Sequence, residues 1–167
     1  MATPTALPTT FVAGDILTAA NMNLIRGGFR VLQVVYNQTS TAVTESLGAF
    51  ADTGLEATIT PQYNTSKVLV IVNQNGCFKN ANNANNALNL KLLRGATNIS
   101  NFLSAGGYTN TATENIFGSA SVTVLDEPAT TSATIYKTQM QNQQASAQVG
   151  CQVVSAQSTI VLMEISA

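Results

Sequence analysis

The sequence contains no histidine and very little charge. It has 167 residues with 7 Lys and Arg and 8 Asp and Glu, so that charged side chains make up 9% of the chain and the net charge is -1. Without histidine, the commonest general base, the Ser-His and Cys-His nucleophile pairs and the usual zinc ligands are excluded. Without a basic surface, the counterion release that drives nucleic-acid binding is excluded as well. The composition predicts a non-enzymatic protein with no cofactor, no metal and no nucleic-acid partner.

The carboxylates offer only a weak indication of catalysis. They are scattered along the chain, and only Asp126 and Glu127 are adjacent. A glycosidase needs two facing carboxylates, which a sequence alone does not exclude. This pair stands directly before Pro128, where a solvated turn is the ordinary structure. We therefore expect no catalytic residues and keep a hydrolase only as a third alternative.

Cysteines and long hydrophobic runs are also scarce. Cys77 and Cys151 are the only cysteines, and each lies in a predicted strand. A bridge between them stays open, although two isolated cysteines are more often buried thiols. No hydrophobic run approaches the roughly 20 residues of a membrane span, and the start MATPTALPTTF lacks the basic and apolar regions of a signal peptide. We expect a protein that is made in a cytoplasm and does not insert into a membrane.

The chain is rich in β-strand patterns instead. Hydrophobic residues make up 45% of it. About eight segments rich in Val, Ile, Leu and Thr are separated by Gly, Pro, Asn and Ser, at 30–36, 54–60, 67–72, 87–93, 119–125, 133–141, 147–154 and 158–165. The gaps are too short for the crossover helices of a parallel sheet. The predicted fold class is all-β, an antiparallel, jelly-roll-like β-sandwich of about eight strands over residues 29–167, with nothing helical beyond residue 28.

Residues 1–28 have a different character. After a start rich in proline and threonine, Thr18 can serve as an N-cap, residues 19–26 can form about two helical turns, and Gly27-Gly28 can end them. A helix this short is marginal alone in water. It therefore needs a partner surface, either on its own domain or on another protein.

Two predicted strands are apolar at almost every position, VLVIV at 68–72 and IVLM at 160–163. In a sandwich, one face of each strand meets the core and the other usually meets water. Covering several aliphatic side chains, at about 25 cal/mol per Å2 of apolar surface, is worth several kcal/mol. We predict that copies of the chain cover one another, as a homotrimer, through Val68, Val70, Val72, Val161 and Met163. The alternative is a barrel, or a sandwich whose outer face is covered by loops.

An asparagine tract, ANNANN at 81–86, separates two of the most apolar stretches. Asparagine tolerates tight turns and hydrogen-bonds its own backbone, so a plain surface loop is the simplest interpretation. Its amides can also contact sugars or another neutral polar surface. On that second interpretation the contact residues are Asn82, Asn83, Asn85 and Asn86, together with the loop at 106–113.

The stretch TFVAGDILTAANMNLIRGGF contains a G-x-x-L-T-A-A-x-x-N pattern, carried by Gly14, Leu17, Thr18, Ala19, Ala20 and Asn23. It resembles the segment that starts many tailed-bacteriophage fibre and other virion proteins. Residues 53–76, 90–100 and 159–166 are similar to the β-rich domains of such proteins.

The resemblance implies a virion structural protein of the short tail-fibre or capsid-decoration type. Residues 1–28 would dock on other virion proteins of the capsid or tail, through Phe11, Ile16, Leu17, Met22 and Ile25. The β-domain would face outward and form a trimer. No shaft, coiled coil or repeat separates the two parts, which favours a short appendage or a capsid decoration over a long fibre. The alternative is a tail-fibre module that binds a receptor or glycan on the host surface.

Overall fold

The structure is a computed structural model that describes residues 30–145 and 147–166. Over this part the chain forms ten β-strands and a short 3-10 helix at Val153–Ser155. The strands are β1 (Val31–Thr39), β2 (Val43–Glu45), β3 (Ala51–Ile59), β4 (Lys67–Lys79), β5 (Leu88–Arg94), β6 (Thr97–Gly106), β7 (Asn115–Asp126), β8 (Thr134–Asn142), β9 (Val149–Cys151) and β10 (Ser158–Ile165). They form two sheets that pack together, which confirms the predicted all-β sandwich.

The strand count and the expectation of no further helix are corrected. The prediction of about eight strands missed β2 and β6. The segment predicted as one strand at 147–154 contains the short β9 and then the 3-10 helix. In that helix Val154 has φ 51°, a backbone conformation that β-branched residues rarely adopt.

Both sheets are antiparallel throughout. The six-stranded sheet has the order β1-β10-β4-β9-β2, with β7 paired to the other edge of β4, and the four-stranded sheet has the order β3-β8-β5-β6. Strand β4 is 13 residues long. It pairs with β10 through its first half and with β9 at Phe78 and Lys79, while β7 follows its opposite edge. The six-stranded sheet is therefore organised around β4.

The hydrophobic core lies between the two sheets in two adjoining clusters. The larger includes Leu55, Ala57, Ile59, Val68, Val70, Val72, Leu92, Tyr136, Ile160 and Leu162, and the smaller includes Cys77, Leu88, Leu90, Met140, Val149 and Cys151. Because side chains alternate between the two faces of a strand, every second residue of β4 points inward. The three valines Val68, Val70 and Val72 are 0% exposed within one subunit. Their assignment to an interface between copies is therefore corrected, since they already belong to the core.

A chain of buried polar side chains joins the two sheets beside these clusters. Thr138 of β8 shares a hydrogen bond with Thr53 of β3 and donates one to Gln74 Oε1 of β4 at 2.9 Å. Gln74 Nε2 in turn donates to Ser158 Oγ at the start of β10, at 3.2 Å. All four side chains are buried. Because an unpaired polar group in the core costs free energy, these bonds favour one relative placement of the sheets.

A buried carboxylate fastens β10 to its surroundings. Glu164 is 0% exposed and accepts hydrogen bonds from Gln33 Nε2 of β1 at 2.6 Å and from the backbone N–H of Gln62 at 2.7 Å. Burial by itself raises the pKa of this carboxyl group, but the hydrogen bonds from Gln33 and from the Gln62 and Tyr63 backbone help to outweigh it, and the pKa lies below its usual range. The ionised carboxylate thus stabilises the junction of β1, β10 and the loop after β3.

Replacing this carboxylate should remove a pH-dependent part of the stability. A group whose pKa is lower in the folded than in the unfolded chain stabilises the fold above about pH 4.3, and this contribution is lost as the pH falls through its folded pKa. We expect E164Q to melt at a lower temperature than the wild type at neutral pH, and the difference to shrink in acid. Thermal unfolding followed by circular dichroism from about pH 7 to about pH 3 measures it.

The control is E127Q, because the Glu127 side chain is 69% exposed and exposed ion pairs contribute little. Its melting curve should follow that of the wild type at each pH. A constant difference between E164Q and the wild type over the whole range would contradict the stabilising role of the ionised carboxylate.

Candidate functional site: an apolar sheet face and a polar tip

The outward face of the six-stranded sheet carries a continuous apolar surface. Residues directly opposite each other on neighbouring antiparallel strands lie side by side on the same face. One such row crosses β1, β10, β4 and β7 as Val34, Met163, Leu69 and Leu125, and the next contains Tyr36, Val161 and Ile71. These seven residues alternate with the core residues of the same strands and point away from the second sheet. We call them the outer apolar face.

The side chains at its two edges are largely exposed. Val34 is 57% exposed, and Tyr36 and Leu125 are each 55% exposed. Leu69, Ile71, Val161 and Met163, in the middle strands, are half-buried, because their neighbours on the same face shield them. This exposed apolar surface crosses four strands, whereas scattered single hydrophobic residues on a surface need no explanation.

The outer apolar face is bordered by neutral groups on one side and an ion pair on the other. The next row along the strands consists of Gln38, Thr159, Asn73 and Ser121. At the opposite end, Lys67 Nζ lies 2.6 Å from Glu127 Oε1. The described residues of these three rows include no charged side chain, so two such faces do not repel each other electrostatically.

The structure places only part of the predicted interface on this face. Val161 and Met163 lie on it, whereas the three valines of β4 lie in the core. Val34, Tyr36, Leu69, Ile71 and Leu125 were missed. The segment VLVIV does not itself show which residues face inward, but once Val68 is placed in the core, Leu69 and Ile71 must point outward.

At one end of the sandwich, two loops form a polar tip, defined here as residues 80–87 between β4 and β5 and residues 107–114 between β6 and β7. The Tyr108 hydroxyl joins them, donating to Asn85 Oδ1 at 3.4 Å and to Asn110 Oδ1 at 3.2 Å. From below, the buried Lys79 donates through Nζ to the Thr111 carbonyl at 2.9 Å. The structure thus brings together the two loops that were predicted as a contact surface.

The four asparagines of the predicted contact loop have different roles. Asn82 and Asn85 are exposed, and Asn83 is half-buried. The Asn83 side chain accepts the Asn85 backbone N–H at 2.8 Å, which closes a tight turn. Asn86 is 0% exposed and donates to the Gln148 carbonyl at 2.8 Å. Its assignment to a surface contact is corrected, because it fastens the loop to the segment before β9.

The adjacent carboxylates Asp126 and Glu127, at the end of β7, each form an ion pair with a different basic side chain. Asp126 Oδ2 lies 2.7 Å from Arg94 Nη1 and accepts the Tyr136 hydroxyl at 2.7 Å. Burial, followed by the hydrogen bond to the Asp126 carboxylate, raises the pKa of the Tyr136 hydroxyl. Glu127 pairs with Lys67 instead. These contacts give both carboxylates structural partners.

Within residues 30–145 and 147–166, no group of three Cys, Asp or Glu side chains is placed to hold a metal ion. The described residues also include no helix with the length and hydrophobicity that crossing a membrane requires. The predicted attachment residues Phe11, Ile16, Leu17, Met22 and Ile25 lie outside the described residues.

Comparison with known proteins does not assign a function to the chain. No protein-family model matches the chain, and no curated protein matches it either. Among solved structures, the chain is similar to VP2 in the subviral particle of infectious bursal disease virus, with 12% sequence identity and a TM-score of 0.44. The match covers 81% of this chain and 40% of that one, so the chain corresponds to less than half of that protein's length. A similarity of this size does not define a function.

Proposed function

We propose that this chain is a non-enzymatic structural component of a virus particle, and that its sandwich associates with further copies of itself as a trimer. The observation that carries the proposal is the outer apolar face, with three large side chains more than half exposed. Burial of apolar surface contributes about 25 cal/mol per Å2. A second copy is a suitable cover, because the face is neutral and the whole chain has a net charge of only -1.

The position of the face within the sheet also favours assembly. It is formed by side chains that stand out from the sheet and not by the free hydrogen-bonding edge of a strand, so copies can pack their faces together around a threefold axis without adding a strand. A stable interface buries roughly 800 Å2 on each partner. The seven residues of the outer apolar face would supply the apolar centre, and the neutral row containing Gln38 and Asn73 would supply part of a polar rim.

The assignment to a virus particle is supported by the resemblance of residues 10–29 to the N-terminal segments of tailed-phage virion proteins. In the structure, Arg30 precedes β1 and Ser166 follows β10. The Arg30 carbonyl accepts the Ser166 backbone N–H at 2.9 Å, and the Arg30 backbone N–H donates to Ser166 Oγ at 2.9 Å. The preceding segment therefore joins the sandwich at one end of the β1–β10 pair. We assign the outer apolar face to contacts between copies and residues 1–28 to attachment to the capsid or tail.

Introducing charge on the outer apolar face should separate the copies. We expect the double variant V34K/L125K to stay folded, because both side chains are exposed, and to sediment as a monomer where the wild type is oligomeric. Each introduced lysine would be buried in the interface between copies and should weaken their association by at least about tenfold, equivalent to about 1.4 kcal/mol. Multi-angle light scattering across a concentration series gives the oligomer mass.

The matched control is L47K, which introduces the same charge at a side chain that is 81% exposed and lies outside the face. It should assemble like the wild type. A wild type that stays monomeric at high concentration would refute the assembly proposal, as would a V34K/L125K variant with unchanged mass.

Deleting residues 1–28 tests the attachment role separately. The truncated chain should keep its β-sheet circular dichroism spectrum and its oligomer mass, because the described sandwich begins after this segment. It should fail to co-sediment with particles that lack the protein, whereas the full-length chain should bind them. Normal decoration by the truncated chain would show that the attachment surface lies elsewhere.

A second candidate function, binding of a glycan or receptor on the host surface, is favoured by the contact between Tyr108 and Asn85. This contact holds an aromatic ring that is 48% exposed beside a group of neutral amides and hydroxyls. Sugars are bound by such groups, because amides and hydroxyls pair with sugar hydroxyls and the ring covers an apolar sugar face.

Glycan-array binding should detect this function if it operates. The wild type should show saturable binding to a subset of glycans, and Y108A should lose at least about tenfold in affinity. Y63A is the control, because Tyr63 is also about half exposed, at 57%, but lies outside the polar tip. Absence of saturable binding, or equal binding by Y108A, would eliminate this candidate.

A further inference from the structure

Cys77 of β4 and Cys151 of β9 belong to the same buried cluster. The two strands pair as Phe78 with Gly150 and Lys79 with Val149, and Cys77 and Cys151 are the next residues along each strand. Beyond them, the Gln152 backbone N–H donates to the Asn75 carbonyl at 2.9 Å, so the two cysteines lie between two backbone contacts of the same strands. Cα atoms of residues paired across antiparallel strands are about 4.5–5.5 Å apart. Disulfides span Cα separations of about 4.4–6.8 Å.

The two thiols are free, buried and in contact. Both cysteines are unbridged and 0% exposed. The Cys77 thiol lies within donating distance of the Gln74 carbonyl, at 3.5 Å. Its hydrogen bond with Cys151, together with burial, raises the pKa of the Cys151 thiol. In the closed fold, therefore, both thiols are shielded from oxidants, and the Cys151 thiol stays protonated.

Close packing on both sides holds the pair together. At Gly150, a Cβ would lie 2.4 Å from the Phe78 ring and 2.6 Å from the Val43 carbonyl oxygen. At Gly76, which has φ +60°, a Cβ would lie 2.7 Å from the Val153 backbone. Glycine at both positions lets β9 and the 3-10 helix approach β4 closely. The residues beside the two cysteines thus hold β9 close to β4.

We propose that Cys77 and Cys151 form a latent cross-strand disulfide site, which remains a dithiol in a reducing compartment and closes when a small disulfide compound oxidises it. The thiolate of one cysteine attacks a sulfur of oxidised glutathione and releases one glutathione thiolate. The thiolate of the other cysteine then attacks the mixed disulfide and releases the second. Each cysteine gives up one proton, and the two electrons leave with two molecules of reduced glutathione.

The closed bond would hold a short and weakly paired strand of the sheet in place. Strand β9 has three residues and pairs with β2 and with two residues of β4, so it is the strand whose local opening exposes both thiols. Such opening limits the rate, because oxidised glutathione cannot enter the closed core. If the chain is a virion component as proposed above, the bond would form once the particle leaves a reducing cytoplasm, although the site does not depend on that function.

The test is oxidation of the full-length chain by oxidised glutathione at a temperature just below its unfolding midpoint, where β9 opens often. The protein is then unfolded and alkylated with iodoacetamide, and its molecular mass is measured by mass spectrometry. We expect a species that has lost two hydrogen atoms and takes up no alkyl group. Its midpoint of thermal unfolding should be raised, and dithiothreitol should return it to the reduced value.

The matched controls are C77S and C151S, each of which keeps one thiol and cannot form the bond. They should be alkylated or carry one glutathione, and oxidation should not raise their midpoints. Three results would overturn the proposal: two alkylated cysteines in the oxidised wild type, glutathione adducts on it in place of the bond, or an oxidised form that melts at a lower temperature than the reduced one.

Discussion

The double-sided hydrogen bonding of β4 is the constraint on which the rest of the structure depends. One edge of this strand pairs first with β10 and then with β9, and the other edge pairs with β7. Side chains alternate between the two faces of β4, and this alternation therefore determines on which face each residue paired with β4 lies. With Val68, Val70 and Val72 in the core, Leu69 and Ile71 must point outward, and the register carries that orientation to β10, β1 and β7. The core and the outer apolar face are two consequences of one strand's register.

Much of the fold could be predicted from the sequence, because most strands are long and rich in β-branched residues. Strand β10 was predicted with its observed bounds, 158–165. Strand β2 has only three residues, too few for any pattern to be visible. Strand β6, TNISNFLSAG, is an edge strand rich in polar residues, and no alternation marks its inward face. Local pattern predicts a strand only where one face is clearly apolar.

The candidate surfaces were less predictable, because they depend on register between distant strands. The segment VLVIV is apolar at every position, so its period of two cannot be seen, and the inward valines were taken for interface residues. Val34 and Leu125 become neighbours of one face only through β10 and β4. The polar tip was anticipated as two separate loops. The contact between Tyr108 and Asn85, which joins them, is tertiary and leaves no trace in either segment alone.

The sandwich places polar groups inside and apolar groups outside to an unusual degree. Gln74, Lys79, Thr138 and Glu164 are 0% exposed, whereas Val34, Tyr36 and Leu125 are more than half exposed. A buried polar group costs free energy unless it is hydrogen-bonded, and its hydrogen bonds contribute only modestly, so such a core stabilises a single subunit no more than an apolar one would. It does, however, penalise any shift of one sheet against the other. A subunit whose sheets cannot slide presents the outer apolar face in one fixed shape, and a fixed shape is what repeated packing of identical copies requires. The polar core and the apolar exterior are thus both compatible with the assembly proposed above.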